Sequence, residues 1–118
     1  MTEAMTGDCL FCSMVAGDVQ PTVVHETATT LAFRDIDPQA PSHVLVVPKA
    51  HHRDVPALAA ADPGLLSDLF GAVAAVVEQE GLEGRFRLVF NTGAEAGQSV
   101  FHVHAHVLGG RSFGWPPG

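Results

Sequence analysis

Three histidines stand two apart, His102, His104 and His106, inside the stretch Gln98-Ser99-Val100-Phe101-His102-Val103-His104-Ala105-His106-Val107-Leu108-Gly109-Gly110. The strict alternation predicts a β-strand over residues 98–110, because successive strand side chains point to opposite faces. Phe101, Val103, Ala105 and Val107 would then face a core. The three imidazoles would share the other face, about 6.6 Å apart along the chain. A buried ring nitrogen without a partner costs about 1–3 kcal/mol, so each imidazole needs a task. Two chemistries suit such a row. In the first, two of the histidines bind a metal, and a third protein ligand leaves one position open for water. In the second, a neutral imidazole attacks phosphorus and forms a phosphohistidine-type intermediate that water then cleaves. That route needs one ring nitrogen held as a donor so that the other is a free lone pair. It also needs donors around the phosphate oxygens. The middle residue, His104, fits this description, and Ser99 supplies a donor nearby. The absence of an acidic, magnesium-like cluster beside the strand favours metal-independent phosphorus chemistry.

Other residues could join this row. Thr92-Gly93-Ala94-Glu95-Ala96-Gly97-Gln98-Ser99 is a small, glycine-rich loop leading into the strand. Its glycines let backbone N–H groups converge on an anion. The loop matches neither the P-loop nor the dinucleotide pattern, so its position is what recommends it. His43 opens another apolar run. Asp35 follows a strand end, where a carboxylate can accept from ribose hydroxyls. Cys9 and Cys12 form a Cys-x-x-Cys with three readings: half of a zinc site, a redox pair, or two small buried side chains.

The elements that must position these groups are legible in outline. Cys9 to Gly17 reads as a short helix, with Leu10, Phe11, Met14 and Val15 at helical spacing and Gly17 as its stop. Val23–Glu26 and Thr29–Arg34 read as a hairpin turning at Thr27-Ala28. The prolines of Asp35-Ile36-Asp37-Pro38-Gln39-Ala40-Pro41 forbid regular pairing there. His43–Pro48 is apolar almost throughout, as a central strand is. Asp62-Pro63 starts a long helix to Glu80, with Leu65, Leu66, Leu69, Phe70, Val73, Val76 and Val77 as its apolar face and Gly81 as its end. Arg85 to Asn91 is a further strand. Residues 1–8 read as a flexible leader, and residues 9–118 as one domain.

Composition bounds the partners. The 118 residues carry 13 acidic against 6 basic side chains, a net charge of −7, with Lys49 the only lysine. This argues against a nucleic-acid polymer or an anionic membrane surface as partner, while a mononucleotide needs only local donors. No secretory signal and no apolar run of transmembrane length is evident. Two cysteines do not make a disulfide scaffold, so a cytoplasmic protein is expected.

His102-Val103-His104-Ala105-His106-Val107-Leu108 resembles the histidine-triad (HIT) pattern, His-φ-His-φ-His-φ-φ with φ apolar. The likeness extends to Asp35–His43, Val47-Pro48-Lys49, Gly97-Gln98-Ser99-Val100, Gly109-Gly110-Arg111 and Trp115-Pro116-Pro117-Gly118, all similar to the Hint-like nucleotide-binding branch. The resemblance implies an α+β fold with an antiparallel sheet of about five strands, one long helix and one short one. It implies a homodimer that joins two sheets, with Trp115 near the partner's site. The implied activity is hydrolysis of purine nucleoside 5′-phosphoramidates. His104 would be the nucleophile, His102 and His106 would orient it and contact the phosphate, and His43 would support the relay. Asn91, Gly97, Gln98 and Ser99 would hold the phosphate, with Ser99 near the leaving group. Asp35 would bind the ribose, and Phe11, Phe33 and Ile36 would wall the purine. Catalysis would require no cofactor. The Cys-x-x-Cys resembles members that bind zinc through that pair and two histidines, here His51 and His102. In that case His102 is a structural ligand and not a catalytic partner.

Overall fold

The computed structural model describes residues 9–118, so the expected leader lies outside the described residues. Its centre is a run of side chains buried on both faces of one sheet. Strand β3 (Ser42–Pro48) lies between β2 (Thr30–Arg34) and β5 (Ala105–Gly109). The outer strands β1 (Val23–Glu26) and β4 (Phe86–Val89) complete an antiparallel order β1-β2-β3-β5-β4. The near-continuous apolar run of β3 follows from this position. Val44 and Val46 enter the core under the long helix, while Leu45 and Val47 enter a second cluster on the opposite face.

The long helix α3 (Pro63–Gln79) begins where Asp62 accepts the Leu65 N–H at 3.0 Å, with proline in the first turn. Such a cap satisfies one of the orphan N–H groups at a helix start. Leu65, Leu69, Ala72, Val73, Val76 and Val77 form its buried face against Ala32, Val44, Val46, Ala105 and Val107. Phe70 departs from the expected stripe: it is 45% exposed and rests on the Phe90 ring. The opposite face of the sheet is covered by α1 (Leu10–Ala16), which Gly17 ends in the left-handed conformation at φ 88°. A second short helix, α2 (Val55–Ala61), capped by Asp54, adds to the two expected. Its sequence is mostly alanine with only Leu58 buried, so it shows no apolar stripe, although alanine propensity and the Asp cap favour helix.

The histidine segment corrects one expectation. Only Ala105–Gly109 is paired as strand, and residues 101–104 are not. β3 ends at Pro48, so the ladder has no partner beyond the Val46–Ala105 pair. A single bond, Val103 N–H to the His52 carbonyl at 2.8 Å, ties the extended segment to the loop after β3. The alternation persists in facing and not in burial, since His102, Val103, His104 and Ala105 are all buried. Val103, Ala105 and Val107 face the α3 core, whereas Phe101, expected inward, is half-buried under the Arg53 guanidinium at 4.3 Å. Among the described residues no helix is long and apolar enough to cross a membrane.

Candidate active site and metal cluster

Sheet register sets the site. Phe33, Leu45, His106 and Val89 lie in one row across β2, β3, β5 and β4. Above this row α1 sets Phe11 edge-on to Phe33, with ring centroids 5.5 Å apart. Between them opens a cleft of about 420 Å³ lined by Phe11, Phe33, Asp35, Ile36, Ser99, His104 and His106, together with Met14, Val19, Pro21, Thr22 and Leu45. This volume is in the range of small-molecule sites. Alternation alone had no means of finding the second group, because α1 and the residues after it meet the sheet only in the fold.

Backbone groups determine which ring nitrogens carry hydrogen. His104 Nδ1 lies 2.8 Å from the His102 carbonyl oxygen. A carbonyl only accepts, so Nδ1 carries the hydrogen and Nε2 is the lone pair. His43 Nδ1 accepts the Gln39 N–H at 3.0 Å, so the hydrogen of neutral His43 sits on Nε2. That nitrogen lies 2.9 Å from His106 Nδ1, and it therefore donates to it. His106 in turn carries its hydrogen on Nε2, a buried atom with no hydrogen-bond partner among the described residues. An unused buried donor beside a lone-pair nitrogen is what an incoming anion requires. Asp35 Oδ2 stands 3.4 Å from His43 Nε2, and its Oδ1 accepts the Asp37 N–H at 2.9 Å.

His102 does not line the cleft. Its ring is fully buried, with Nε2 donating to the Pro48 carbonyl at 2.8 Å and Nδ1 facing Cys9 Sγ at 3.3 Å and Cys12 Sγ at 3.5 Å. His51 Nδ1 lies 3.4 Å from Cys12 Sγ. The imidazole expected to contact phosphate is thus directed into a Cys9–Cys12–His51–His102 cluster, and only its carbonyl reaches His104. All four ligand atoms lie within 4.8 Å of one another. Zinc with bonds of about 2.3 Å to sulfur and 2.0 Å to nitrogen spaces tetrahedral S and N ligands about 3.5 Å apart, which the observed contacts match. Burial and the neighbouring Cys9 push the Cys12 thiol up to about 12, so a bound cation is what would make this pair anionic.

Gln98 also differs from its expected place at the phosphate. It is buried, its Oε1 accepts the Gly93 N–H at 2.8 Å, and its Nε2 donates to the Arg53 and Val100 carbonyls. It braces the glycine-rich loop. Gly97, at φ 100°, sits against the Asn91 side chain, and neither residue borders the cleft. Ile36 is 98% exposed at the cleft rim, and Trp115 is 83% exposed and away from the cleft.

A histidine-bearing strand beneath a ligand-sized cleft, on a five-stranded antiparallel sheet, defines the histidine-triad class. The HIT domain pattern matches residues 16–113, and the chain belongs to the HIT family. It is 43% identical to a 14 kDa zinc-binding protein of Zea mays, over 92% of this chain and 87% of that one. It is 42% identical to the adenylylsulfatase HINT1 of Arabidopsis thaliana, over 92% and 76% of the two chains. The crystal structure of a HIT family hydrolase from Legionella pneumophila superposes with a TM-score of 0.89 at 44% identity, covering 93% of this chain and 99% of that one.

Burial lowers the pKa of His43, and burial with the neighbouring His104 and His43 rings lowers that of His106 from 6.5 to about 4. The unfolded chain therefore binds more protons than the folded one between about pH 6.5 and pH 4. The stability these neutral rings allow is complete above pH 6.5 and declines as pH falls towards 4. The urea midpoint should drop between about pH 7.5 and pH 5, and drop less in His106→Gln. Equal drops in the two proteins would show that folding does not lower the pKa of His106.

Proposed function

We propose that the protein hydrolyses purine nucleoside 5′-phosphoramidates through a nucleotidyl intermediate on His104. The observation that carries this reading is the His102 carbonyl on His104 Nδ1, which leaves Nε2 as the lone-pair nitrogen of a cleft residue. His104 Nε2 forms a bond to phosphorus while the phosphorus–nitrogen bond breaks, and the nitrogen takes a proton from solvent and leaves as the amine. Water then cleaves the nucleotidyl-histidine, releasing the 5′-monophosphate and restoring the imidazole. The His106 Nε2–H donates to a phosphate oxygen, and Ser99 stands at the leaving group. Phe11 and Phe33 supply apolar wall for a base, and Asp35 Oδ2 accepts from the ribose. One relative is called an adenylylsulfatase, which supports including sulfate beside amine as a leaving group in the assay. His104→Ala should lower turnover of adenosine and guanosine phosphoramidates at least about a thousand-fold. Mass spectrometry of quenched wild-type protein should find a nucleotide on His104. Unchanged turnover in the variant would overturn the reading.

The Cys9, Cys12, His51 and His102 set would hold one zinc ion as a closed, structural site. Bound there, the ion supplies rigidity to the α1–His102 contact and takes no part at phosphorus. Metal analysis should give about one zinc per chain in wild type and in His104→Ala, and almost none in a Cys9→Ser, Cys12→Ser double variant. Loss of turnover on chelation, with the fold intact and zinc restoring it, would instead favour a metal-dependent hydrolase.

The dimer is proposed on the outer edge of β4, which pairs with no strand among the described residues. Light scattering on the eluting protein should give twice the 12.4 kDa of one chain, and a value near 12.4 kDa would exclude it.

A further inference from the structure

The loop between β2 and β3 carries two prolines and is tied to β3 at its start, where the Asp35 N–H donates to the His43 carbonyl at 3.0 Å, and further along it supplies the amide that sets the tautomer of His43. Its internal bonds are short-range: Asp37 N–H to Asp35 Oδ1 at 2.9 Å, and Gln39 Nε2 to the Asp37 carbonyl at 2.9 Å. The restraint on Gln39 from outside the loop comes from the segment after β5. Arg111 Nε–H donates to the Gln39 carbonyl at 3.0 Å. Gly110, at φ 90°, lies so close to the loop that a Cβ there would stand 2.9 Å from Pro41 Cβ.

We infer that Arg111 is a positioning residue, acting through the Gln39 backbone on His43 and thence on His106. It rests on the reading of His104 as nucleophile only for its kinetic consequence. Gln39 is the connecting element. Its carbonyl is held by Arg111 while its N–H donates to His43 Nδ1 at 3.0 Å. Fixing one group of the residue restrains the direction of the other. With the Gln39 N–H in place, the hydrogen of His43 stays on Nε2 and points at His106 Nδ1, which keeps the His106 hydrogen on Nε2 for the phosphate. Released, the loop no longer selects between the two neutral forms of His43.

Arg111 is built for holding and not for charge. Its Nη1 donates to the Ser112 carbonyl at 2.9 Å, and its guanidinium lies 4.2 Å from the Phe113 ring centroid. Phe113 also carries the Arg87 guanidinium at 5.1 Å, and Arg87 Nη2 donates to the Gly114 carbonyl at 2.9 Å. A planar fork on two carbonyls and a ring has fewer alternative positions than a lysine ammonium.

The test is the nitrogen spectrum of His43 in uniformly ¹⁵N-labelled protein, read by long-range proton–nitrogen correlation, with kcat and KM on adenosine phosphoramidate beside it. Wild type should show His43 as the Nε2–H form. Arg111→Ala should move both His43 nitrogens towards the average of the two forms, and lower kcat about ten-fold with KM within about two-fold. Arg111→Lys, which keeps a donor, should lie between them, and it carries the comparison should Arg111→Ala not fold. Phe113→Leu removes the ring but leaves the Arg111–Gln39 bond, and should leave His43 unchanged. Unaltered His43 nitrogens in folded Arg111→Ala and Arg111→Lys would overturn the inference. A His43 shift in a protein whose wild type turns over no phosphoramidate would strike the proposed activity and leave this coupling standing.

Discussion

The site depends on one restriction: a backbone carbonyl can only accept, and a backbone N–H can only donate. Three of the four rings are set against such a group. His104 meets the His102 carbonyl, His102 meets the Pro48 carbonyl, and His43 meets the Gln39 N–H. An imidazole alone in water exchanges its two neutral forms freely. Here the backbone selects one form per ring without any added charge, and burial then keeps the rings neutral by disfavouring the cation. His106 is the one member without a backbone partner, and it inherits its form from His43. Its Nε2–H is consequently left without a hydrogen-bond partner among the described residues.

The same sheet face serves two purposes that a single residue separates. Phe11 comes between Cys9 and Cys12 in sequence. Its ring meets His104 at 5.0 Å and His102 at 5.9 Å, edge-on to both. The cysteines that anchor α1 to His102 thereby also position the aromatic wall of the cleft. His102 completes the connection, because its ring belongs to the cysteine cluster and its carbonyl holds His104 Nδ1. One residue, His102, is thus shared by the cluster and by the hydrogen bond that sets the His104 tautomer.

Much of this was legible before any coordinates. The alternation survives as the shared facing of Val103, Ala105 and Val107 onto the α3 core, even where strand pairing fails, because it reports an extended backbone and not a ladder. The Asp62-Pro63 start of α3 and the Gly17 stop of α1 follow from local chemistry, which sequence carries directly. The zinc-type cluster was reached through resemblance, since nothing in the local pattern joins Cys9 to a ring ninety-three residues away. What stayed hidden depended on position in space. Gln98 reads as a phosphate-loop residue until its amide is seen bonded within the loop. α2 buries a single leucine and leaves no periodic trace. That the His102 ring meets the cysteines and not the cleft depends on where α1 lies over the sheet, which a row of letters does not convey.

One further arrangement follows from the tautomers. Asp35, His43 and His106 bring ligand-type atoms within 4.8 Å of one another, an assortment of donors that suits a divalent ion. A metal on His43 Nε2 would need that nitrogen to be bare, which for a neutral ring moves the hydrogen to Nδ1. Nδ1 already accepts the Gln39 N–H, so two hydrogens would face each other across 3.0 Å. The backbone bond that aims the relay therefore disfavours a cation there. The cysteine cluster shows the opposite arrangement. Its His102 donates from Nε2 to a carbonyl and turns a bare Nδ1 towards the thiols. Two groups of histidines on one face are thus sorted by their backbone partners, one towards a cation and the other towards an anion.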